Sequence, residues 1–434
     1  MKRTLVAVAV AVVAACAVVH TAQAAGKTGY FWQFTDTHWQ RDYIPGTTPG
    51  KKGHCRVDRG TGDKCGPFGD YHCDTPTVLL EAVEQRIVDE AAAERPQFVL
   101  WTGDHVSDFD GNTSIKDTQD VLADITRRLE VLQQRVGAPV FPLIGNHDTY
   151  PAFQFPAKAP FFVYDFVRKN WGAFLSKASL DRMAGANQFY SERVMPGLRI
   201  VAVNTAMFFC ANFLMPLTAQ DPGGQNAWLR AELADARAKG DKVFLIAHVP
   251  FGLDEETRIY QMWQGFHDRL LDAMDGFHGN TIVASFYGHN HINSFKMLRN
   301  RDGSGASVGF LTSSVSPKPL ENPSITKFVF DLEAPFTIRE RINYYVDLAE
   351  SNAQGRIVWK RSFSTAESYG LPDCSAATMQ GFIETMRTDR TLFDKFYSHL
   401  WANYPHRTCD ARCQKQMLCT LESVNITEVN ACVL

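Results

Sequence analysis

The chain has 434 residues, with 44 Lys and Arg against 47 Asp and Glu, 45% hydrophobic side chains, 30 Gly and 20 Pro, which excludes collagen-like and disordered chains. A net charge of −3 supplies no global basic field, so a dedicated binder of nucleic-acid polymers is excluded while a small charged substrate is allowed. The length suffices for one core of about 250 residues and a smaller second unit.

Residues 1–24 carry Lys2 and Arg3, an apolar run from Leu5 to Val19 and the small-x-small string Ala22-Gln23-Ala24, the layout of a secretory signal peptide. The run is shorter than the ~20 apolar residues of a membrane span, so no transmembrane span is expected. The string Val13-Ala14-Ala15-Cys16 resembles a lipoprotein cleavage box, which keeps lipid anchoring at Cys16 as the lesser alternative to free secretion. Removing 24 residues that hold two basic and no acidic side chains leaves 410 residues and a net charge of −5. Nine cysteines remain, and seven cluster in two short segments, Cys55 to Cys73 and Cys409 to Cys432. In an oxidising compartment they read as local disulfides, with at least one thiol left over because nine is odd. Cys409, Cys413 and Cys419 also have a spacing that suits zinc, a reading the compartment disfavours. Asn112-Thr113-Ser114 and Asn425-Ile426-Thr427 are glycosylation sequons, used only in a eukaryotic host.

Short apolar runs at Tyr30–Thr35, Phe98–Thr102, Val140–Ile144, Leu198–Asn204, Val243–Ala247 and Ile282–Tyr287 read as buried strands. Helices are predicted between them. One starts at Asp74 or Thr75 with Pro76 just inside and carries Leu79, Val83, Ile87 and Ala91 on one face before Pro96. A second stripe, Val121, Ile125, Leu129, Leu132 and Val136, ends at Gly137, and a third, Trp228, Leu229, Leu233 and Ala236, ends at Gly240. The alternation indicates an α/β core. From Val308 to Phe363 strands follow one another with little helix, which reads as a second sheet facing the first. Helical stretches at Thr378–Arg387 and Leu392–Trp401 and four clustered cysteines then form a small helical, disulfide-stapled appendix. The organisation expected is 1–24 signal, 25–363 catalytic domain and 364–434 C-terminal helical domain.

The chemistry sits at the strand ends. In order they deliver Asp36-x-His38, Gly103-Asp104, Gly145-Asn146-His147-Asp148, His248 and Gly288-His289-Asn290-His291. Ligands of open α/β sheets gather outside the carboxyl ends of strands, so these groups converge by topology. Carboxylate, imidazole and amide oxygen without thiol suit zinc, manganese or iron. Period-two alternation puts the side chains of Asp36 and His38, and of His289 and His291, on one face. A Gly before Asp104, Asn146 and His289 lets backbone approach closely at each exit turn. Each piece alone is weak, but five in order read as a dinuclear metal site.

These blocks resemble the calcineurin-like metallophosphoesterases, whose pattern is D-x-H, G-D, G-N-H-[DE], H and G-H-x-H. Trp101-Thr102-Gly103-Asp104, Gly66-Pro67-Phe68-Gly69-Asp70 with Cys73-Asp74, Ala247-His248-Val249-Pro250, Asp221-Pro222 with Gln225 and Trp228-Leu229, and the cysteine tail from Cys409 to Cys432 are similar to the acid sphingomyelinase-like phosphodiesterases. The resemblance implies a four-layer αββα sandwich of two mixed sheets. It implies one metal on Asp36, His38, Asp104 and His291, and another on Asp104, Asn146, His248 and His289, with Asp104 bridging. Zinc is the metal it implies. Ser107 stands where purple acid phosphatases place their iron-binding Tyr. It further implies a phosphodiesterase that attacks phosphorus with a hydroxide bridging the two metals. His147, beside a residue already facing the metals, is assigned to protonating the leaving oxygen or stabilising the transition-state oxyanion, with Asp148 fixing its orientation. The family commonly has a second catalytic His four residues after the bridging Asp. Asp108 occupies that place here and His105 follows Asp104 directly, which leaves His105 as a candidate of doubtful reach.

Three substrates are open: nucleotide-type phosphodiesters or phosphoanhydrides, sphingomyelin, and phosphomonoesters. Only Ala25–Gly29 precede the first strand, leaving no lipid-extracting saposin module, so the nucleotide type is preferred and sphingomyelin stands second. A catalytically silent secreted binding protein is the alternative from another class. The Phe-rich stretches Phe155–Phe166 and Met207–Leu217 read first as packing or base-stacking surface and second as peripheral lipid contact.

Overall fold

The computed structural model describes residues 26–50, 53–57, 62–107, 114–158, 160–183, 188–405 and 408–434. The signal sequence with Cys16, the sequon residue Asn112 and Asp108 lie outside the described residues.

The chain begins with strand β1 (Thr28–Phe34), helix α1 (Thr77–Ala93), β2 (Val99–Trp101), α2 (Ile115–Val136) and β3 (Val140–Pro142). Pro76 stands at the N-cap of α1 rather than inside it, so the helix starts later than the sequence predicts. Ser114 caps α2 by accepting from the Asp117 N–H, and Gly137 ends it at φ 69, a left-handed turn that glycine adopts without a Cβ penalty. Then come α3 (Phe162–Asn170), α4 (Lys177–Arg182), β4 (Tyr190–Met195), β5 (Leu198–Ala202), α5 (Gln225–Ala238), β6 (Lys242–Ile246), α6 (Gln264–Met274) and β7 (Ile282–Tyr287). Next are β8 (Phe295–Arg299), β9 (Ala306–Leu311), β10 (Ser324–Asp331), β11 (Ile338–Val346), α7 (Leu348–Gln354) and β12 (Trp359–Ser364). Helices α8 (Thr365–Tyr369), α9 (Ala376–Thr388), α10 (Arg390–His399), α11 (Ala411–Glu422) and α12 (Ile426–Val433) complete it.

Two six-stranded mixed sheets result, in the orders β12-β11-β10-β1-β2-β3 and β4-β5-β6-β7-β9-β8. The sequence reading that strands from Val308 onward build a second sheet is corrected by this topology. Only β9 of that stretch lies in the second sheet, parallel to β7. Strands β10 to β12 instead extend the first sheet, with β10 antiparallel to β1. A strand whose both faces are covered carries no alternation that could name its sheet. Strands β4 and β8, the two edges of the second sheet, were not anticipated, because their mixed polar and apolar content shows no clear period.

Phenylalanines fill the space between the sheets. Phe31 stacks on Phe98 and Phe328 of its own sheet, at 4.5 and 5.1 Å between ring centres, and meets Phe286 and Phe244 of the facing sheet edge-on or tilted at 5.1 and 5.9 Å. Full burial of each such ring contributes ~1.5–3 kcal/mol. Nearer the strand ends, buried Gln33 crosses the gap, its amide donating to the Tyr287 carbonyl at 3.0 Å while its oxygen accepts from Thr312 at 3.0 Å. Helix α1 covers the outer face of the first sheet, where the Arg86 guanidinium lies over Tyr344 and Trp359. Helices α9 and α10 cover the second, with Phe382 and Phe396 against Phe295. The layers therefore run helix, sheet, sheet, helix.

Cys419–Cys432 and Cys409–Cys413 form disulfides, which removes the zinc reading of that tail. Cys55 lies within bonding distance of both Cys65 and Cys73, and one sulfur takes one partner. Cys210 and Cys374 are thiols. Among the described residues, no helix is long and apolar enough to cross a membrane. The string Gly305 to Gly309, which matches a nucleophile elbow on paper, lies on β9 and makes no strand-to-helix turn.

Candidate active site

Strands β1, β2 and β3 are parallel in one sheet, and β6 and β7 are parallel in the other, so five carboxyl ends open toward one place. The loops that leave them bring Asp36, His38 and His291 into one group of donor atoms and Asp104, His248 and His289 into another, each within 4.8 Å. Asp104 Oδ2 links them, 3.1 Å from His248 Nε2 and 3.7 Å from His38 Nε2. Asn146 joins the second group, its Oδ1 2.9 Å from His248 Nε2.

The reason these side chains converge differs in part from the strand pleat the sequence suggests. Asp36, His38, Asp104, His289 and His291 all lie beyond the strands at positive φ, at 51, 36, 54, 72 and 56°. Residues other than glycine rarely adopt this region, and such residues gather at functional sites. The two D-x-H-type pairs thus reach the cluster through alternate left-handed turns. The preceding glycines serve the close approach expected of them. A Cβ on Gly145 would collide with the Asp104 carboxylate, one on Gly288 with Thr35, and one on Gly103 would sit 2.7 Å from the His248 ring.

Each imidazole is held by its outer nitrogen. His38 Nδ1 lies 3.1 Å from the Val106 carbonyl, His248 Nδ1 2.7 Å from that of Thr102, and His291 Nδ1 3.0 Å from that of Lys318. A carbonyl only accepts, so these contacts put the proton on Nδ1 and turn a bare Nε2 toward the cluster. His289 is inverted: its Nε2 meets Gln261 Oε1 at 2.9 Å, which leaves Nδ1 for the cluster. As a result His38 Nε2 and His291 Nε2 face each other at 3.3 Å, two lone pairs with Asp36 Oδ1 3.3 Å from the latter. That arrangement calls for a cation between them. The donor set therefore fits two divalent metal ions.

Charge follows the same logic. Burial alone would raise the Asp36 carboxyl, but the imidazoles of His291 and His248 outweigh it and bring it down to about 2. Asp104 is likewise held well below the usual range, by His248 and His147 against the effect of burial. Burial would lower His248, yet Asp104 and Asp36 push it up to about 9, while His289, buried and next to His248, falls to about 3.

His147 stands at the cluster, its ring 4.8 Å from His38 and 4.7 Å from Phe153, and its backbone N–H donates to Asp104 Oδ1 at 2.8 Å. The idea that Asp148 fixes that ring is corrected by its contacts. The buried carboxylate accepts from the backbone N–H groups of Asp104, His105, Val106 and Gly145 at 3.1, 2.7, 3.0 and 2.8 Å. Four such bonds use the acceptor capacity of a carboxylate. Asp148 thus ties the Asp104 turn to the Asn146 turn. His105 is also corrected: with Asp104 aimed at the cluster, its neighbour is turned inward, buried, with Nε2 2.8 Å from the Leu143 carbonyl and its ring edge-on to Trp101 at 4.9 Å.

Several residues at the site carry no motif. Gln261 and Glu321 back His289 and His291, and Phe153 and Phe209 form a wall, 5.3 Å apart, with Phe209 4.8 Å from His289. Phe209 lies in the Phe-rich stretch that the sequence already marks as a stacking surface, whereas Gln261 and Glu321 sit in loops without any periodic or compositional signal.

The family model for calcineurin-like phosphoesterase matches residues 30–293, more than half of the chain and every loop from Asp36 to His291 that supplies a donor to the cluster. The chain belongs to the calcineurin-like phosphoesterases. A second model, the acid sphingomyelin phosphodiesterase C-terminal region, matches residues 306–434. Among similar proteins, human "Acid sphingomyelinase-like phosphodiesterase 3b" is 31% identical over 430 residues, covering 94% of this chain and 91% of its own. Human "Cyclic GMP-AMP phosphodiesterase SMPDL3A" is 28% identical over 414 residues, 92% of this chain and 88% of its own. "Sphingomyelinase phosphodiesterase C" of Dictyostelium discoideum is 28% identical over 413 residues, 91% and 90%. This acid sphingomyelinase-like phosphodiesterase is a metal-dependent phosphodiester hydrolase, and its fold implies two divalent ions.

Proposed function

We propose that the protein is a secreted phosphodiesterase that cleaves phosphodiester or phosphoanhydride bonds of nucleotide-type substrates at a two-zinc centre. Asp36, His38, Asp104 and His291 would hold one ion, and Asp104, Asn146, His248 and His289 the other. Four imidazoles with oxygen donors and no thiol suit zinc. Two such ions supply Lewis acidity, charge neutralisation and a water acidic enough to be a nucleophile near neutral pH. His147, at the edge of the cluster beside His38, donates a proton to the leaving oxygen.

The observation that carries the nucleotide reading is the aromatic wall. Phe153 and Phe209 stand beside His147 and His289, where a base attached to the scissile phosphate would stack, an interaction of ~1–3 kcal/mol per base. The cyclic dinucleotide named for one group of relatives is of this class. Sphingomyelin is the second reading, favoured by exposed Phe213, Leu214, Leu217 and Ile259 on the two loops that flank the wall. Product analysis by ³¹P NMR tests the choice, with zinc-loaded protein given ATP, cyclic GMP-AMP and detergent-dispersed sphingomyelin separately. Nucleotide cleavage with sphingomyelin untouched supports the first reading. Phosphocholine released at a comparable rate moves the assignment to the lipid, and no turnover of any ester leaves a silent binding protein.

A further inference from the structure

Of the four imidazoles at the centre, three meet neutral groups at their outer nitrogens among the described residues: the carbonyls of Val106 and Thr102 for His38 and His248, and the Gln261 amide for His289. His291 differs. Its Nδ1 lies 3.0 Å from Glu321 Oε1 as well as 3.0 Å from the Lys318 carbonyl. Glu321 is 1% exposed, on the segment between β9 and β10, and accepts from the Ser314 hydroxyl at 2.9 Å. Its other oxygen is buried without a hydrogen-bond partner among the described residues, so its polar contacts run through His291 and Ser314.

We propose that Glu321 is a positioning residue that makes the metal site of Asp36, His38 and His291 the tighter of the two, leaving the site of Asn146, His248 and His289 exchangeable. The inference rests on the two-metal reading above. The Lys318 carbonyl already sets the tautomer and direction of the His291 ring. What Glu321 adds is a carboxyl oxygen 3.0 Å behind the imidazole, an acidic partner that raises the basicity of the far nitrogen where a neutral carbonyl does not. The same side also holds Asp36 in addition to its share of Asp104, whereas the opposite side has the uncharged Asn146 and Gln261. Low dielectric around these buried groups magnifies the difference.

The test is zinc titration of the metal-stripped full chain in competition with a chromophoric chelator, with zinc per chain counted by elemental analysis. Wild type is expected to take two ions with two separate affinities. Glu321→Gln keeps the shape and an acceptor oxygen but removes the charge, and should weaken the tighter site by about 10- to 100-fold with the weaker site unchanged. Gln261→Glu, on a partly buried residue, should tighten the weaker site and narrow the gap. Thermal unfolding of the metal-free variants checks that both are folded. Two unchanged affinities in E321Q, an equal loss at both sites, or no tightening in Q261E would overturn the inference while two ions still bind. A wild-type chain that takes fewer than two ions overturns the two-metal reading itself, a result the counting separates from the former.

Discussion

Asp148→Asn distinguishes a carboxylate that ties loops together from one that aims a catalytic imidazole. The substitution is isosteric, so packing is preserved. One oxygen remains and can keep two of the four backbone N–H bonds, but the amide nitrogen turns donors toward the other two, at contacts now 2.7 to 3.1 Å long. Hydrogen bonds to a charged group contribute ~1.5–3 kcal/mol each, so losing two in a fully buried place should destabilise the protein by about 3–6 kcal/mol. The lost bonds hold the turns that present Asp104 and Asn146, so metal content should fall as well. Denaturant unfolding monitored by tryptophan fluorescence gives the first quantity and elemental analysis the second. A D148N enzyme with stability within about 1 kcal/mol of wild type, full metal and a reduced kcat would refute this account and return Asp148 to the role of orienting His147.

Three further outcomes are expected. His147→Ala should lower kcat by ~10²-fold or more with two ions still bound, since the metals are held by other side chains; loss of zinc in elemental analysis would contradict this. Chelation should abolish activity while far-UV circular dichroism stays the same, because protons on Nε2 can take the place of the ions, pairing His248 with Asp104 at 3.1 Å and His291 with Asp36 at 3.3 Å, and zinc or manganese should restore turnover. Stability should fall in acid. Burial lowers both His278 and His399 from 6.5 to about 4, so the folded state binds fewer protons than the unfolded chain between those values. Their contribution is present above pH 6.5 and is lost as pH falls toward 4, by about 3 kcal/mol for each. Unfolding curves at pH 7, 5.5 and 4 measure it, and a flat profile would show that these imidazoles are not what acid attacks.

The site was legible in the sequence because its candidate donors sit at strand ends, and three of them, Asp104, Asn146 and His289, directly follow glycines with no room for a side chain. Asp36, Asp104, Asn146, His248, His289 and His291 each follow an apolar run whose topology aims it at one place. Their left-handed backbone was not legible, since period-two alternation offered a simpler route to the same convergence. Roles that depend on a partner's position in space were the ones misread. Asp148 looks like a triad carboxylate from its place after His147, and only the fold shows four N–H groups around it. Gln261 and Glu321 stand 28 and 30 residues from the histidines they back and carry no local signal. Sheet membership failed for a similar reason, because β9 and β10 are both apolar runs and nothing in their composition says that one pairs with β7 and the other with β1.

The pairing of β1 with β10 also sets a timetable for the nascent polypeptide. Thr28 pairs with Asp331, so one edge of the first strand waits for some three hundred residues of translation before it is covered. During that interval the stretch Tyr30 to Phe34, among the most apolar in the chain, offers an open strand edge of the kind that recruits other chains. Export in an unfolded state would postpone the whole exposure to the far side of the membrane, where the final third arrives together with the first. Truncated products ending before Ser324 should therefore aggregate rather than fold into a smaller enzyme, even though every proposed metal ligand is already present in them.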